Sequence, residues 1–329
     1  MPHSTEQQHA APVLAENGKY NDWRDDLFRD GFAVVKGAVP AERCTHYIDS
    51  MYSWLEKFPY GFKRSDTSTW TADHLPANIK GGMYHGYSVQ HEKFVWEARL
   101  EPGVLDAFAL LWGTDKLIAS FDGINFTLPT SDRKPWDAWP HIDQSPYRTG
   151  LQCAQGIINF AENGPKDGGL MVLKGSHRWT EKYFESHEKD QKTWGSTDWF
   201  GFKEDEVDWF KERGCEVMKV CAGPGDLIIW DSRTMHWNVV PEGEQTRALV
   251  YACYAPAKFA KPETLEKKKQ FFEERLGTTH WPHDNLFVSG YKGEKIRNGK
   301  PDSYSRDRPF EEPEISEKLL KLAAVVPYE

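Results

Sequence analysis

The pattern of apolar and polar positions predicts a short mixed region followed by a long β-rich one. In the first region, GFAVVKGAV (31–39) has the apolar character of a strand that ends in a turn. PAERCTHYIDSMYSWLEKF (40–58) has the period of an amphipathic helix with proline near its first turn. PGVLDAFALLWG (102–113) predicts a second helix, which its glycine ends.

From residue 117 onward the pattern changes to short apolar runs separated by Gly, Pro, Asp and Asn turns. Helical periods are absent between most of these runs, which disfavours a βαβ fold. Short strands at this spacing are typical of an antiparallel sandwich or barrel, with a jelly roll as a leading option. We therefore predict a mainly β fold with flanking helices. The runs are LIASFDGINFTLP, LQCAQGIINFAE, GGLMVLKGS, EVMKVCAG, GDLIIWD and RALVYACYAPA.

The same pattern divides the chain into a tail and one domain. Residues 1–20 are polar and aperiodic, which predicts a disordered N-terminal tail. Residues 21–329 form the single predicted domain. It has three predicted parts: an N-terminal strand, helix and cover region (21–100), a β core (101–256) and a C-terminal extension (257–329). The β core contains a charged, aromatic insert (178–214), in which a short helix is predicted.

Composition restricts the class of partner. The formal net charge is −9 without a basic cluster, which argues against nucleic acid or an anionic membrane as the partner. No apolar run approaches the ~18 residues of a membrane span, and the N-terminus lacks a signal-peptide core. Five scattered cysteines without a C-x-x-C pair suit a reducing compartment. We therefore expect a cytoplasmic protein that acts on a small molecule.

A candidate metal site begins in AWPHIDQSPYRTG (138–150), where His141 and Asp143 lie two residues apart. At a strand end, residues i and i+2 point the same way, so both side chains can reach one metal ion. Two neutral imidazoles and one carboxylate hold Fe(II) on one face and leave positions for a cosubstrate and oxygen. A lone H-x-D pair occurs by chance in many chains, so a third ligand is needed. The candidate is His236 in GDLIIWDSRTMHWNVVP, which follows a strand and a turn.

An iron enzyme that uses 2-oxoglutarate also needs a fixed cation for the far carboxylate of that cosubstrate. Arg247 opens the run RALVYACYA eleven residues after His236, and its planar fork suits bidentate binding of a carboxylate. An unpaired guanidinium among apolar neighbours is costly to bury, so an anion should meet it. The alternative is a structural ion pair, for instance with Asp226 or Asp231.

The segments PHID, NGPKDGGLMVLKGSH, GDLIIWDSRTMHWN and TRALVY, in this order, resemble the phytanoyl-CoA dioxygenase family of Fe(II)/2-oxoglutarate-dependent oxygenases. The resemblance spans roughly residues 101–256 and is weaker in the N-terminal strand and helix. It implies a double-stranded β-helix fold, which is a cupin-like jelly roll. It also implies Fe(II) at His141, Asp143 and His236, and the far carboxylate of 2-oxoglutarate at Arg247.

The resemblance further implies a reaction and a second contact to the cosubstrate. O2 oxidises the organic substrate, most often by hydroxylation, while 2-oxoglutarate is converted to succinate and CO2. By position, Gln155 or Gln152 would also reach 2-oxoglutarate. The chain departs from the family pattern at Ile142 and Lys174, neither of which is a ligand. Related halogenases carry glycine or alanine in place of Asp143, so the aspartate argues against halogenation.

The sequence indicates the substrate pocket less directly. Aromatic residues in GGMYHGYSVQH (81–91) and in the insert are candidates for its walls, with ordinary hydrophobic cover over the barrel mouth as the alternative. Two other functions stay open: a cupin-like metalloenzyme that does not use 2-oxoglutarate, and a non-catalytic binding or partner subunit that keeps the fold. The candidate wall residues are Tyr84, His85, Tyr87, Trp194 and Trp199.

Overall fold

Two antiparallel sheets, one of six strands and one of five, form the centre of the protein. The computed structural model describes residues 15–130, 132–195, 197–286, 288 and 295–329. Over these residues the helices are α1 (Trp23–Asp30), α2 (Ala41–Glu56), α3 (Lys93–Arg99), α4 (Pro102–Trp112), α5 (His177–Ser186), α6 (Glu204–Lys211), α7 (Pro262–Glu273) and α8 (Glu317–Leu322). The strands are β1 (Phe32–Val35), β2 (Met83–Tyr84), β3 (Leu117–Ala119), β4 (Ile124–Thr127), β5 (His141–Ile142), β6 (Ala154–Asn159), β7 (Gly169–Lys174), β8 (Phe200–Gly201), β9 (Glu216–Lys219), β10 (Leu227–Asp231), β11 (His236–Val239), β12 (Arg247–Tyr251), β13 (Tyr254–Pro256), β14 (Lys295–Arg297) and β15 (Lys300–Asp302).

The two sheets pack face to face. The larger sheet has the strand order β1-β10-β6-β12-β4-β2, and the smaller one has the order β8-β5-β11-β7-β9. Apolar side chains of β6, β10 and β12 meet those of β7 in one buried cluster, which includes Ile157, Leu170 and Leu249. This double-sheet arrangement confirms the predicted mainly β jelly roll with flanking helices.

Helices cover the outer faces of both sheets. A large apolar cluster joins α2, α3 and α4 to the larger sheet through side chains such as Tyr47, Trp96 and Phe108. A second cluster joins α5 and α6 of the insert to the smaller sheet, with Phe184 and Phe210 as members. The insert also supplies β8, which pairs with β5. It is therefore a structural layer over the strand that carries the H-x-D pair.

The predicted helices over 40–58 and 102–113 are confirmed as α2 and α4, and α4 ends at Gly113 in the left-handed conformation that glycine favours (φ 62°). The C-terminal extension contributes α7 near its start. Two short helices, α1 and α3, were not predicted, because each is too short to show a clear helical period. The insert holds two α-helices where one was predicted.

The predicted N-terminal tail falls largely on residues 1–14, which lie outside the described residues. The end of that segment makes tertiary contacts. The Glu16 carboxylate accepts from Nη2 of Arg233 at 2.9 Å and from the backbone N–H of Leu151 at 3.2 Å. Glu16 therefore contacts the folded domain.

Candidate metal centre and cosubstrate pocket

The H-x-D pair and the third candidate ligand meet because β5 and β11 are neighbours in the smaller sheet. His141 is the first residue of β5 and His236 is the first residue of β11, and the register pairs them directly. Their ring centroids lie 4.3 Å apart. Asp143 follows β5, where its backbone N–H donates to the carbonyl oxygen of Ser232 at 3.0 Å. All three candidate ligands are buried.

The three side chains present their donor atoms to one point. One potential ligand atom of each residue lies within 4.8 Å of the other two. Nε2 of His236 is 3.1 Å from Oδ2 of Asp143, and Nε2 of His141 is 3.7 Å from Oδ1. Among the described residues, this is the one group of three or more His, Cys, Asp or Glu side chains that could hold a metal ion. Its two nitrogens and one oxygen fit the facial donor set that Fe(II) takes in oxygenases.

Main-chain carbonyl groups orient both imidazoles for metal binding. Nδ1 of His141 lies 2.8 Å from the carbonyl oxygen of Trp139, and Nδ1 of His236 lies 2.9 Å from that of Thr234. Because a carbonyl oxygen only accepts, each Nδ1 carries the proton and each Nε2 keeps its lone pair. Both lone pairs belong to the atoms that face Asp143, as ligation requires.

The electrostatics of the group also suit metal binding. Burial and the neighbouring His236 lower the pKa of His141 to about 4, so the imidazole is neutral near pH 7. Burial by itself would raise the pKa of Asp143, but the interactions with His280, His141 and His236 outweigh it and hold this pKa below its ordinary value. The group therefore offers a neutral imidazole at His141 and a carboxylate at Asp143, the protonation states that a metal ion needs in these ligands.

Arg247 lies in the same cavity and has no acidic partner among the described residues. It is 5% exposed, and its Nε is buried without a hydrogen-bond partner. Burial lowers the pKa of its guanidinium, which interacts with Tyr251. The two carboxylates considered as alternative partners are bound elsewhere: Asp226 pairs with Lys36 at 2.7 Å, and Asp231 pairs with Arg233 at 2.7 Å.

A glycine makes room for this guanidinium. Gly169, the first residue of β7, has φ +93°. A Cβ at this position would lie 2.7 Å from Nε, 2.8 Å from Cζ and 2.9 Å from Nη2 of Arg247. Any side chain at residue 169 would therefore collide with the cation. The close approach explains the second glycine of the GG pair that begins the apolar run of β7.

The metal group and Arg247 share one cavity of about 300 Å³. Its walls come from the hairpin at 79–85, from both sheets, and from the segment after α7. The lining residues are Ile79, Lys80, Met83, His85, Asp122, Trp139, His141, Asp143, Gln155, Ile157, Leu170, Trp230, His236, Trp237, Asn238, Arg247, Tyr251, Thr279 and His280.

Of the two candidate glutamines, the structure brings only Gln155 into the cavity. Its Nε2 donates to Oδ2 of Asp143 at 2.9 Å, so its amide orients the carboxylate. Gln152 precedes β6, where its Nε2 donates to the carbonyl oxygen of Thr149 and its Oε1 accepts from Arg148. Its side chain is engaged in this turn and is not among the residues that line the cavity.

Of the five aromatic candidates, His85 lines the cavity, whereas Tyr84 and Tyr87 are buried in the hydrophobic core. Side chains alternate across a strand, so Met83 and His85 face the cavity while Tyr84 packs against Trp54 on the other side. The hydroxyl of Tyr87 donates to Asp302.

The two tryptophans of the insert lie outside the cavity lining. Trp194 packs edge-on against Phe184, with ring centroids 5.0 Å apart. Trp199 stacks on the ring of His141 at 6.0 Å and is 51% exposed, so it covers the candidate ligand from the solvent side.

Sequence reasoning missed the cavity residues that come from outside the β core. Thr279 and His280 belong to the C-terminal extension, and Nε2 of His280 lies 3.8 Å from Oδ2 of Asp143. Sequence reasoning also missed Lys80, in the cover region, and Asp122, which lies between β3 and β4 within the β core. The one sequence signal for this wall was the stretch TTHWPHD (278–284), which contains two threonines, two histidines and an aspartate. Its distance from the H-x-D pair matches no known motif spacing.

Comparison with known proteins identifies the family. The family model described as phytanoyl-CoA dioxygenase matches residues 27–237. The chain belongs to the phytanoyl-CoA dioxygenase family. The resemblance noted in the sequence is thereby confirmed. Arg247 and the C-terminal wall of the cavity lie beyond the matched residues.

One relative of this family member is the "Ava biosynthesis cluster protein O" of Aspergillus versicolor, which is 45% identical over 294 residues that cover 85% of this chain and 95% of the relative. The epimerase SnoN, solved with Fe3+, alpha ketoglutarate and nogalamycin RO, is similar with a TM-score of 0.50 and 14% identity, covering 71% of this chain and 82% of that one. EctD from S. alaskensis, solved with 2-oxoglutarate and 5-hydroxyectoine, is similar with a TM-score of 0.50 and 16% identity. The match covers 79% of this chain and 88% of EctD. These two likenesses concern the fold.

Membership of the phytanoyl-CoA dioxygenase family makes the chain a non-haem dioxygenase that uses Fe(II), 2-oxoglutarate and O2. The His-Asp-His group suits the iron of such an enzyme. In the part of the chain that the structure describes, no helix combines the length and apolar character needed to cross a membrane.

Proposed function

We propose that this dioxygenase oxidises a small to mid-sized organic metabolite, by hydroxylation, and releases succinate and CO2. His141, Asp143 and His236 hold Fe(II), and Arg247 binds the far carboxylate of 2-oxoglutarate. The observation that carries the proposal is the buried guanidinium of Arg247, which has no acidic partner among the described residues and lies in the same cavity as the His-Asp-His group. A buried cation without an anionic partner is costly, and a cosubstrate carboxylate removes that cost.

The chain's own residues act by binding and orientation. Bound Fe(II) and 2-oxoglutarate, with O2, supply the oxidising equivalent, so no protein acid or base is needed for the oxidation itself. The carbonyl groups of Trp139 and Thr234 hold the two imidazoles, and Gln155 holds the carboxylate of Asp143. These contacts hold the three donor atoms close together at the cavity, where they would bind Fe(II) beside the space for the cosubstrate and the substrate.

The size and walls of the cavity support a metabolite as the substrate. About 300 Å³ accommodates a small organic molecule beside the cosubstrate, and large apolar side chains line much of the space. The relative named after a biosynthesis cluster supports a biosynthetic intermediate as the substrate. Hydroxylation is the simplest outcome for a C–H bond that faces the iron.

The first experiment tests the metal and the cosubstrate together. Anaerobic protein is titrated with Fe(II) and then with 2-oxoglutarate, and the visible charge-transfer absorption of the chelate is recorded. We expect this absorption in the wild type and not in Asp143→Ala. A wild-type protein that binds Fe(II) and gives no such absorption with 2-oxoglutarate would contradict the proposal and favour a metalloenzyme without this cosubstrate.

The second experiment identifies the reaction. A metabolite library is screened for compounds that stimulate succinate release, and the products are analysed by mass spectrometry. We expect a stoichiometric yield of succinate and a product that has gained one oxygen atom. A product that has instead lost two hydrogens would replace hydroxylation by desaturation or ring closure, and metal binding without any turnover would favour a non-catalytic subunit.

A further inference from the structure

Polar atoms without partners are concentrated in the cavity. Of the described residues that line it, five carry a buried side-chain atom that makes no hydrogen bond: Trp230 (Nε1), Asn238 (Oδ1), Arg247 (Nε), Thr279 (Oγ1) and His280 (Nε2). Buried polar groups in folded proteins are normally paired, so an unpaired group indicates a ligand or water that completes the site. Arg247 is assigned to the cosubstrate above. The other four have no assigned ligand, and two of them, Thr279 and His280, are adjacent in one segment of the cavity wall.

Thr279 and His280 are held in a fixed position by their neighbours in the chain. The backbone N–H of Thr278 donates to the carbonyl oxygen of Phe121 at 2.7 Å, and the hydroxyl of Thr278 accepts from the N–H of Phe121 at 2.9 Å. On the other side, Nε1 of Trp281 donates to the carbonyl oxygen of Asp143 at 2.9 Å. Both unpaired side chains are therefore presented to the cavity by a segment that is anchored at each end.

These side chains lie beside the metal group. Nε2 of His280 is 3.8 Å from Oδ2 of Asp143, the carboxylate that both candidate histidine ligands approach. A molecule bound to Thr279 and His280 would thus lie beside Asp143 and the metal ion that this carboxylate would hold. This is the position that the organic substrate needs if one of its C–H bonds is to be oxidised.

The charges on this wall favour a neutral group. Asp143 and Asp122 both line the cavity, and Asp122 lies 3.4 Å from Nδ1 of His85. Bound Fe(II) offsets the charge of Asp143, but the carboxylate of Asp122, which interacts with His280, disfavours a further anion there by repulsion. A hydroxyl or an amide can donate to one partner and accept from the other, as an unpaired imidazole nitrogen and an unpaired hydroxyl require. The remaining walls supply apolar contacts from Met83, Ile157 and other side chains.

Resting on the proposed function, we propose that Thr279 and His280 anchor the organic substrate through a neutral hydroxyl or amide group and so determine which of its C–H bonds faces the iron. The substrate is accordingly a neutral, partly apolar molecule with at least one such group. Both residues are specificity-determining, and neither takes part in the oxidation itself.

Binding of four small probes tests the anchor without any turnover. Anaerobic enzyme that holds Fe(II) and 2-oxoglutarate is titrated calorimetrically with benzamide, benzyl alcohol, benzoate and toluene, which differ only in their head group. The same series is repeated on the Thr279→Val/His280→Ala protein. Thr264→Val, on the outer helix α7, is the matched control because it removes a threonine hydroxyl away from the cavity.

We expect benzamide and benzyl alcohol to bind the wild type about five- to tenfold more tightly than benzoate or toluene, the effect of one or two hydrogen bonds. The double variant should lose this preference and keep its affinity for toluene, whereas the Thr264→Val protein should behave as the wild type. The proposal is overturned if benzoate binds most tightly, if the double variant keeps the preference, or if no probe binds the wild type.

Two further measurements separate this anchor from other roles. Affinity for Fe(II) and 2-oxoglutarate should change less than about twofold in the single variant Thr279→Val, because the hydroxyl of Thr279 is assigned to neither of them. The melting temperature of Thr279→Val should stay level or rise, since a methyl group replaces an unpaired buried hydroxyl. A clear fall would show a structural role for Thr279 and overturn its part of the proposal. Absence of the Fe(II)/2-oxoglutarate absorption in the wild type would instead contradict the proposed function.

Discussion

At the scale of single residues, two kinds of polar atom form the site. Some make hydrogen bonds within the protein that orient the candidate metal ligands, and others have no hydrogen-bond partner until a small molecule binds. The Nδ1 atoms of His141 and His236 are bound by main-chain carbonyl groups, and Asp143 is held by Gln155. In contrast, Nε of Arg247 has no partner among the described residues. The first type of contact costs stability when it is removed. The second type becomes favourable only when a ligand binds.

Replacement of Asp143 by alanine tests the metal site. We expect Fe(II) affinity to fall by more than the 10–100-fold that loss of an outer hydrogen-bond partner causes, because a direct ligand is lost. Succinate release should disappear, and the protein should still unfold in one cooperative transition. Metal titration and a thermal melt measure both quantities. A lost transition would show that Asp143 has a mainly structural role.

Replacement of Arg247 by lysine tests the cosubstrate site. Lysine keeps the charge and loses the planar fork, so 2-oxoglutarate should bind more weakly by roughly 1–3 kcal/mol, or ~5–150-fold. Iron affinity should change little, because Arg247 is not among the metal ligands. Binding isotherms for both species give the answer. An unchanged 2-oxoglutarate affinity with reduced stability would make Arg247 a structural residue.

Gly169→Ala tests the position of the Arg247 guanidinium by changing the residue that packs against it. The added Cβ would lie within 2.7–2.9 Å of the guanidinium, so Arg247 must shift and 2-oxoglutarate affinity should fall severalfold. Gly214→Ala is the matched control: Gly214 also has positive φ (+84°), and no atom lies within 4 Å of its added Cβ. Both variants should lose about 1–2 kcal/mol of stability from backbone strain. Equal 2-oxoglutarate affinity in the two variants would contradict the proposed role of Arg247.

At the scale of elements, the insert and the C-terminal extension meet on the turn that carries Asp143. Arg148, in that turn, binds Asp198 of the insert at 2.8 Å and Asp284 of the extension at 2.9 Å. Its guanidinium also lies 4.6 Å from the ring centroid of Trp281. One side chain therefore holds two outlying segments against the H-x-D turn, and it is itself largely buried.

Arg148→Ala should loosen both segments. Loss of one partner leaves the buried Asp198 carboxylate short of a charge partner, which costs on the order of 3 kcal/mol. Hydrogen exchange should accelerate in residues 197–202 and 280–286. Arg213→Ala, which removes a cation from the face of Trp209 on the insert, is the control and should change stability by less than about 1 kcal/mol. Unchanged exchange in residues 280–286 would show that other contacts hold the extension.

At the scale of the whole molecule, ligands that bind only the folded state should stabilise it. Fe(II) at about 100 times its Kd adds roughly 2.7 kcal/mol, and 2-oxoglutarate should add a further increment that requires the metal. Thermal melts with each ligand alone and with both measure these increments. Arg247→Lys should keep the first increment and lose most of the second. An equal effect of 2-oxoglutarate with and without Fe(II) would show that it does not chelate the metal.

The sequence by itself determined the features that depend on local pattern. The period of 40–58, the glycine after 102–112 and the apolar runs after residue 117 predicted α2, α4 and the β core, because local propensity and burial of one face dictate these elements. The spacing of His141 and Asp143 and the order of the motifs identified the family and the candidate ligands.

Only the tertiary structure decided which of the remaining residues reach the cavity. Tyr84 and His85 are adjacent in sequence, and strand alternation sends one into the core and the other into the cavity. Thr279 and His280 lie more than a hundred residues from Asp143, and only the packing of the extension onto the H-x-D turn brings them there. Such contacts depend on which surfaces of distant segments fit together, and a single sequence carries no local signal for that fit.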